Sequence, residues 1–269
     1  MVSLPGRHFF RNLIVRRSLL YQLVRRDFER RFVGSAGGWL WSVIHPLVLL
    51  TSWTFVFHIC LKMTVPAGSG TDNYTLFLFC GYLPWMLFAD TIQRSTMCLL
   101  ESSNLITKTV FPSELIPVSI FFSSLVSHLL TLGVAWIAVA GMTGFVGPGP
   151  LVLMVYMALL ALLAIGISWM VSAFQVYLRD TSHAVMVLLT LWFWITPIFI
   201  TPDQIPERFR WLPRLNPLSA FVRAYRDQLL HSYVPDWGDL TYAAAISVTV
   251  FLCGGLVFRQ LKRGFADVL

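Results

Sequence analysis

Residues 150–176, PLVLMVYMALLALLAIGISWMVSAFQV, read as one uninterrupted apolar segment without an acidic or basic side chain. A helix needs roughly 20 such residues to cross a bilayer, so this stretch is long enough to span. Reading outward by hydropathy and turn residues gives further apolar segments at about 38–61, 74–100, 114–142, 183–201 and 239–259. The expected fold is therefore an all-α integral membrane protein with six transmembrane helices. Several segments exceed the minimum, which implies tilt or extension into the interface.

Composition agrees. Of 269 residues, 57% are hydrophobic and only 12% charged, against roughly 25% charged in soluble domains. A water-soluble fold could not bury so much apolar surface. Soluble enzyme, disordered tail and nucleic-acid module are all excluded as starting points, despite the formal net charge of +7. The charge is instead distributed as in a membrane protein. With the N-terminus inside, the inner segments hold thirteen of the 20 Lys and Arg, eight of them before residue 38. The outer segments hold six, and Arg94 lies within a span. This bias places both termini in the cytoplasm. The first apolar run starts near residue 38 and is long enough to span, which does not read as a cleavable signal peptide.

Motif chemistry is sparse. No Lys follows a Gly, so a GxxxxGK[ST] phosphate loop is absent, and HExxH and GxSxG are missing too. Cys60, Cys80, Cys98 and Cys253 lack CxxC spacing and read as small packing residues. No metal site or catalytic residue is expected.

The segments between spans are more informative. In 16–33, RRSLLYQLVRRDFERRFV, the residues Leu20, Val24, Phe28 and Phe32 recur every fourth position, while Gln22, Arg25, Arg26, Glu29 and Arg30 lie off that row. The pattern predicts an amphipathic interfacial helix. It reads either as a positive-inside anchor or as a helix that handles a phosphorylated lipid, since Arg forks match phosphate geometry. Asp27 can meet Arg30 and Arg31 at helical spacing. Gly34, Ser35, Ala36, Gly37 and Gly38 permit a sharp turn, after which Trp39 and Trp41 fit an interface anchor. Pro46 should loosen the first span, and His45 reads as a helix hydrogen-bonding residue and not a metal ligand. Segment 101–113, ESSNLITKTVFPS, is either a plain turn or a short docking helix for a cytosolic partner. Segment 202–238 combines Pro202, Pro206, Pro213, Pro217 and Pro235 with many apolar residues, which predicts Pro-bounded short helices, partly re-entrant, forming an outer cap.

Within the second span, Asp90 and Arg94 stand at i, i+4 and read as a self-neutralising intramembrane pair, with a proton relay as the alternative. Trp41, His45 and Ser52 share one face of the first span; Thr190, Trp194, Pro197 and Thr201 share one face of the fifth. Such faces either pack against neighbours or line a sequence-tolerant path for sugars, whose apolar faces stack while their edges hydrogen-bond.

Read together, Arg26-Asp27-Phe28-Glu29-Arg30-Arg31-Phe32-Val33-Gly34-Ser35, Gly38-Trp39-Leu40-Trp41 and His45-Pro46-Leu47 resemble the opening of the ABC-2 polysaccharide exporters. Phe111-Pro112-Ser113-Glu114-Leu115 and Leu215-Asn216-Pro217-Leu218 stand where that family has similar short motifs. The resemblance runs over essentially the whole chain. It implies a homodimer of six-helix subunits forming a channel in a bacterial inner membrane, served by two copies of a separate ATPase that carries ATP and Mg. Residues 1–37 would hold the interfacial helix, 38–260 the six-helix domain and 261–269 a cytoplasmic tail. The 101–113 segment would be the coupling helix, with Asn104, Lys108, Phe111, Pro112 and Glu114 at the ATPase. Arg30, Arg31, Gly34 and Ser35 would form a lipid-pyrophosphate gate. Val33 stands where the family often has Lys or Arg, which leaves the phosphate to Arg30 and Arg31. Trp41, His45, Ser52, Thr190, Trp194 and Thr201 would line the channel. Segment 202–238 would form a periplasmic gate with Phe209, Trp211, Asn216, Pro217 and Phe221.

The expected role is the permease of an ATP-driven exporter moving polyprenyl-pyrophosphate-linked O-antigen to the periplasm, with capsule or teichoic acid as the close alternative. A membrane glycosyltransferase or polymerase would need catalytic acids in its loops, and the inner loops offer only Glu101 and Asp180. A drug or small-lipid exporter would not need an aromatic path.

Overall fold

A computed structural model of the chain describes residues 16–65, 69–108, 111–144, 149–201, 204–231 and 236–268. The expectations for residues 1–15 and for Pro202 and Pro235 lie outside these. Every regular element among the described residues is helical.

Helix α1, Arg17–Phe32, is the expected N-terminal helix. It lies along α5, Leu115–Thr143, and the row Leu20, Val24, Phe28 and Phe32 is half-buried while Arg25, Arg26, Glu29 and Arg30 are exposed. The chain then turns at Gly34, whose φ of +77° is left-handed and favours glycine. A short 3-10 turn at Gly38–Leu40 leads into α2, Trp41–Trp53, which continues as a π-helix over Thr54–Cys60.

The core is built around α3, Tyr74–Glu101, which touches α5, α6 (Gly149–Tyr177), α7 (Thr181–Ile195) and α9 (Pro217–Leu230). Its first turn is capped by Asn73, whose side-chain oxygen accepts from the backbone N–H of Thr75 and Leu76. After α3 comes the six-residue α4, Ser103–Lys108; between α7 and α9 lies α8, Trp211–Leu215; α10, Trp237–Leu261, is the last long helix. A final turn, α11, covers Phe265–Val268.

Among the described residues, five helical stretches are long and apolar enough to cross a membrane: Gly38–Cys60, Tyr74–Glu101, Leu115–Thr143, Leu151–Tyr177 and Trp237–Gly264. The expected span at 183–201 differs. Its helix, α7, has 15 residues, or about 22 Å at 1.5 Å per residue, shorter than a hydrocarbon core of about 30 Å. The cause is local: Thr196 precedes Pro197 and takes the extended conformation at ψ 130°, because a proline ring disfavours helical geometry in the residue before it. Residues 196–199 are nevertheless buried, and their backbone is satisfied from elsewhere in the fold.

Burial is uneven. In α2 only Pro46 and Leu50 are buried, and in α7 only Val185 and Leu189. Each of these helices therefore presents a broad apolar face away from the protomer.

Candidate functional site

At one end of the bundle, α1 is fastened by charges that neighbour-spacing misassigns. Asp27 does not turn to Arg30 or Arg31. Its carboxylate accepts from Arg94 Nη2 at 2.5 Å, and Arg31 Nη2 donates to Asp90 Oδ1 at 2.6 Å. Asp90 and Arg94 are not a self-contained pair either. They are 3.8 Å apart at their nearest, and each has a closer partner on α1. Serines complete the cluster. Ser124 Oγ donates to Asp90 Oδ2 at 2.6 Å and accepts from Arg94 Nη1 at 3.2 Å, while Ser127 Oγ accepts from Arg31 Nη1 at 3.0 Å. Ser42, at the start of α2, donates to the same Ser127 oxygen. Burial pulls the Arg31 guanidinium below its usual pKa and Asp90 pulls it back up; an arginine so paired stays cationic. The i, i+4 rule fails here because a long-range ion pair is invisible to spacing along one helix.

Of the four expected gate residues, Arg30 and Ser35 are exposed, Gly34 supplies the left-handed turn, and Arg31 is turned inward.

Between α3 and α5 the chain forms the short helix α4 in place of a plain turn. Asn104 and Lys108 of α4 are exposed, Phe111 is half-buried and Pro112 is buried. Glu114 belongs to the fold: its carboxylate accepts from Lys262 Nζ at 2.5 Å and its carbonyl from Trp169 Nε1 at 3.1 Å. Glu101, Asn104, Thr107 and Lys108 are the exposed polar side chains of this stretch.

The expected channel faces are open in the protomer. Trp41, His45 and Ser52 on α2 are exposed, as are Thr190 and Trp194 on α7; Thr201 is half-buried. Ser52 and Thr190 donate to the carbonyls of Val48 and Met186, four residues back in each helix. Trp194 is 62% exposed and stacks on Phe199 at 5.5 Å. An open groove of about 630 Å³ runs along α2, lined by Ile44, Leu47, Val48, Thr51, Ser52, Phe55 and Val56. Behind these faces, Trp53, Tyr82, Phe193 and Phe199 interlock with centroids 4.8 to 6.5 Å apart, cementing α2, α3 and the exit of α7.

The segment expected to form the outer cap is structured over its described residues 204–231. Phe209 and Trp211 are exposed, whereas Asn216 and Phe221 are buried. Asn216 caps α9 by accepting from Leu218 N at 3.0 Å, accepts from Trp192 Nε1 at 2.8 Å and donates to Thr196 Oγ1 at 2.9 Å. Pro217 occupies the first turn of α9, where its missing N–H costs nothing. Phe221 meets Tyr156 edge-on. Those last three expected gate residues therefore hold the cap together, and Phe209 and Trp211 are the two on its surface.

Arg226, which the sequence did not single out for a role, is buried and donates to the carbonyls of Phe77, Pro197 and Ile198. Its guanidinium lies 3.7 Å above the Phe77 ring, a cation–π arrangement. It supplies donors to the carbonyls of the broken backbone after α7, which burial takes out of water.

The family signature "ABC-2 type transporter" matches residues 18–230. The chain belongs to the ABC-2 type transporter family. It is 30% identical over 257 residues to the O-antigen export system permease protein RfbA of Klebsiella pneumoniae, covering 93% of this chain and 95% of that protein. A protein of the same name from Myxococcus xanthus is 28% identical over 265 residues, 96% of this chain and 97% of its own. The polysialic acid transport protein KpsM of Escherichia coli is 22% identical over 247 residues, covering 90% and 92%. Membership fits the apolar helices described above and places the chain among multi-pass transporter membrane subunits, not enzymes.

Proposed function

We propose that this chain is the membrane permease of an inner-membrane exporter that moves polyprenyl-pyrophosphate-linked O-antigen polysaccharide from cytoplasm to periplasm. The observation that carries the reading is the end-to-end similarity to O-antigen export permeases, 30% identity across nearly the whole chain. The geometry adds support. A hydrated glycan cannot cross lipid unaided and needs a protein-lined route with hydrogen-bonding partners. The open faces of α2 and α7 carry rings and hydroxyls, and two copies of the chain would enclose a channel between them. Residues 38–260 form the channel domain in this reading, with α7 and the 196–201 stretch, buried through Phe199, together as its sixth crossing.

The motor is a separate ATPase, which binds ATP and Mg and docks at 101–113 through Asn104 and Lys108. Arg30 and Arg31, with the Gly34–Ser35 turn, receive the pyrophosphate at the inner interface. Segment 202–238 closes the periplasmic end, with Phe209 and Trp211 at its surface. Both termini remain in the cytoplasm.

The test is co-purification with the ATPase subunit and export of defined lipid-linked glycans in proteoliposomes. ATP-dependent movement of lipid-linked O-antigen is the expected result, and ATP hydrolysis by this chain alone would sink the assignment. Transport of polysialic acid with no response to O-antigen would shift the cargo to the one named by its 22% identical relative.

A further inference from the structure

Arg31 is the residue best placed between α1 and the bundle, yet its guanidinium is already held by a carboxylate 2.6 Å away. We propose that Asp90 is a built-in competitor for the substrate's phosphate: it holds Arg31 inward at rest, and an arriving lipid-linked diphosphate exchanges for it and frees the end of α1. The proposal rests on the phosphate-gate reading given above and deepens it.

The exchange is open to an incoming anion. The side chains of Arg31 and Asp90 are 22% and 30% exposed, so the pair lies at the rim of the protein and not in a sealed core. The hold is also single-pointed. One guanidinium nitrogen takes Asp90 and the other takes Ser127 Oγ, a neutral acceptor. A phosphate has more charge and more oxygens than a carboxylate and can occupy both nitrogens of the fork at once.

The cluster also tolerates the loss of one partner. Asp27, Arg94, Asp90 and Arg31 alternate in sign. A buried carboxylate abandoned by its cation is normally very costly. When Arg31 leaves, however, Asp90 keeps the hydroxyl of Ser124 at 2.6 Å and has Arg94 3.8 Å away. Asp27, four residues before Arg31 on the same helix, stays on Arg94 and becomes the pivot. Beyond Phe32 the chain passes through the left-handed Gly34, where it is free to turn. Binding of the headgroup and release of this helix end become one event.

The intact transporter, with its ATPase subunit, is reconstituted in neutral phosphatidylcholine vesicles. Polyprenyl diphosphate is titrated while ATP hydrolysis is followed, with polyprenol, inorganic pyrophosphate and phosphatidylglycerol as separate arms. If Asp90 occupies Arg31 most of the time, removing the competitor raises apparent affinity by the inverse of the free fraction. Asp90→Asn should then lower the half-maximal concentration about tenfold. The gain should vanish in the Arg31→Gln, Asp90→Asn double variant. Ser124→Ala keeps all four charges but makes Asp90 depend more on Arg31, so it should raise the half-maximal concentration about threefold. This second variant decides the matter if Asp90→Asn does not assemble.

An unchanged or weakened response in Asp90→Asn, with Arg31→Gln still impaired, would overturn the competition while leaving the gate intact. Arg31→Gln without effect would remove the gate reading itself. An equal shift with phosphatidylglycerol would overturn the assignment to the substrate's diphosphate, and an equal shift with inorganic pyrophosphate would remove the lipid from it.

Discussion

Gly166 of α6 and Gly254 of α10 face each other so closely that a methyl group on Gly254 would strike the Gly166 carbonyl, and one on Gly166 would meet the Val250 carbonyl at 2.7 Å. Small residues let helices approach in a membrane, where association depends on van der Waals contact and not on hydrophobic exclusion. Gly254→Ala should push the two helices apart at about 1–3 kcal/mol. Gly255→Ala, whose added carbon would sit at an ordinary 3.5 Å from Trp169, should change little. Thermal unfolding in detergent, followed by size-exclusion chromatography, compares the two; equal stability would remove the close-approach argument.

Asn216 joins α9 to the exit of α7 with two hydrogen bonds, to Trp192 and Thr196, and caps α9 with a third from the same side chain. Asn216→Ala removes a helix cap and strands the Trp192 indole N–H and the buried Thr196 hydroxyl. The expected loss of stability is about 1–3 kcal/mol, read as a lower unfolding temperature. Export should fall with it, because the cap loses its attachment.

Trp192 and Trp194 separate packing from lining. Trp192 is half-buried and bonded to Asn216, and Trp194 is largely exposed with one stacking neighbour. Trp194→Ala should cost only about 0.5–1.5 kcal/mol, the worth of a ring contact, yet reduce glycan export. A cysteine at 194 should react with a water-soluble thiol reagent in the assembled transporter. Strong destabilisation together with an unreactive cysteine would place Trp194 in the core.

Lys108→Glu reverses an exposed charge on α4 that has no ion-pair partner among the described residues. Folding should be unaffected, since exposed surface charges contribute within about 0.5 kcal/mol. The ATPase subunit should co-purify less well and respond less to substrate. Normal coupling in Lys108→Glu and in Asn104→Ala would show that the motor docks elsewhere.

The reading of membrane class, of the amphipathic α1 and of a structured outer cap came directly from residue order. Hydropathy windows and a four-residue apolar row are properties of contiguous chain, and the row Leu20, Val24, Phe28 and Phe32 is the half-buried side of α1. The end of α7 was written locally as well, in Thr196-Pro197, but apolar residues continue to Ile200 and a hydropathy argument runs past the break.

Charge partners were another matter. Asp27 had Arg30 and Arg31 within a turn of helix, and Asp90 had Arg94; each instead chose a partner more than fifty residues away. Arg226 carried no local sign of its task, because the carbonyls it serves belong to Phe77, Pro197 and Ile198. Local periodicity reports which face of a helix is apolar. Which helix covers that face, and which opposite charge then comes within bonding distance, depends on how the helices pack around α3. Burial makes those distant partners obligatory: a charge or carbonyl taken out of water must be satisfied by whatever group the packed helices bring to it.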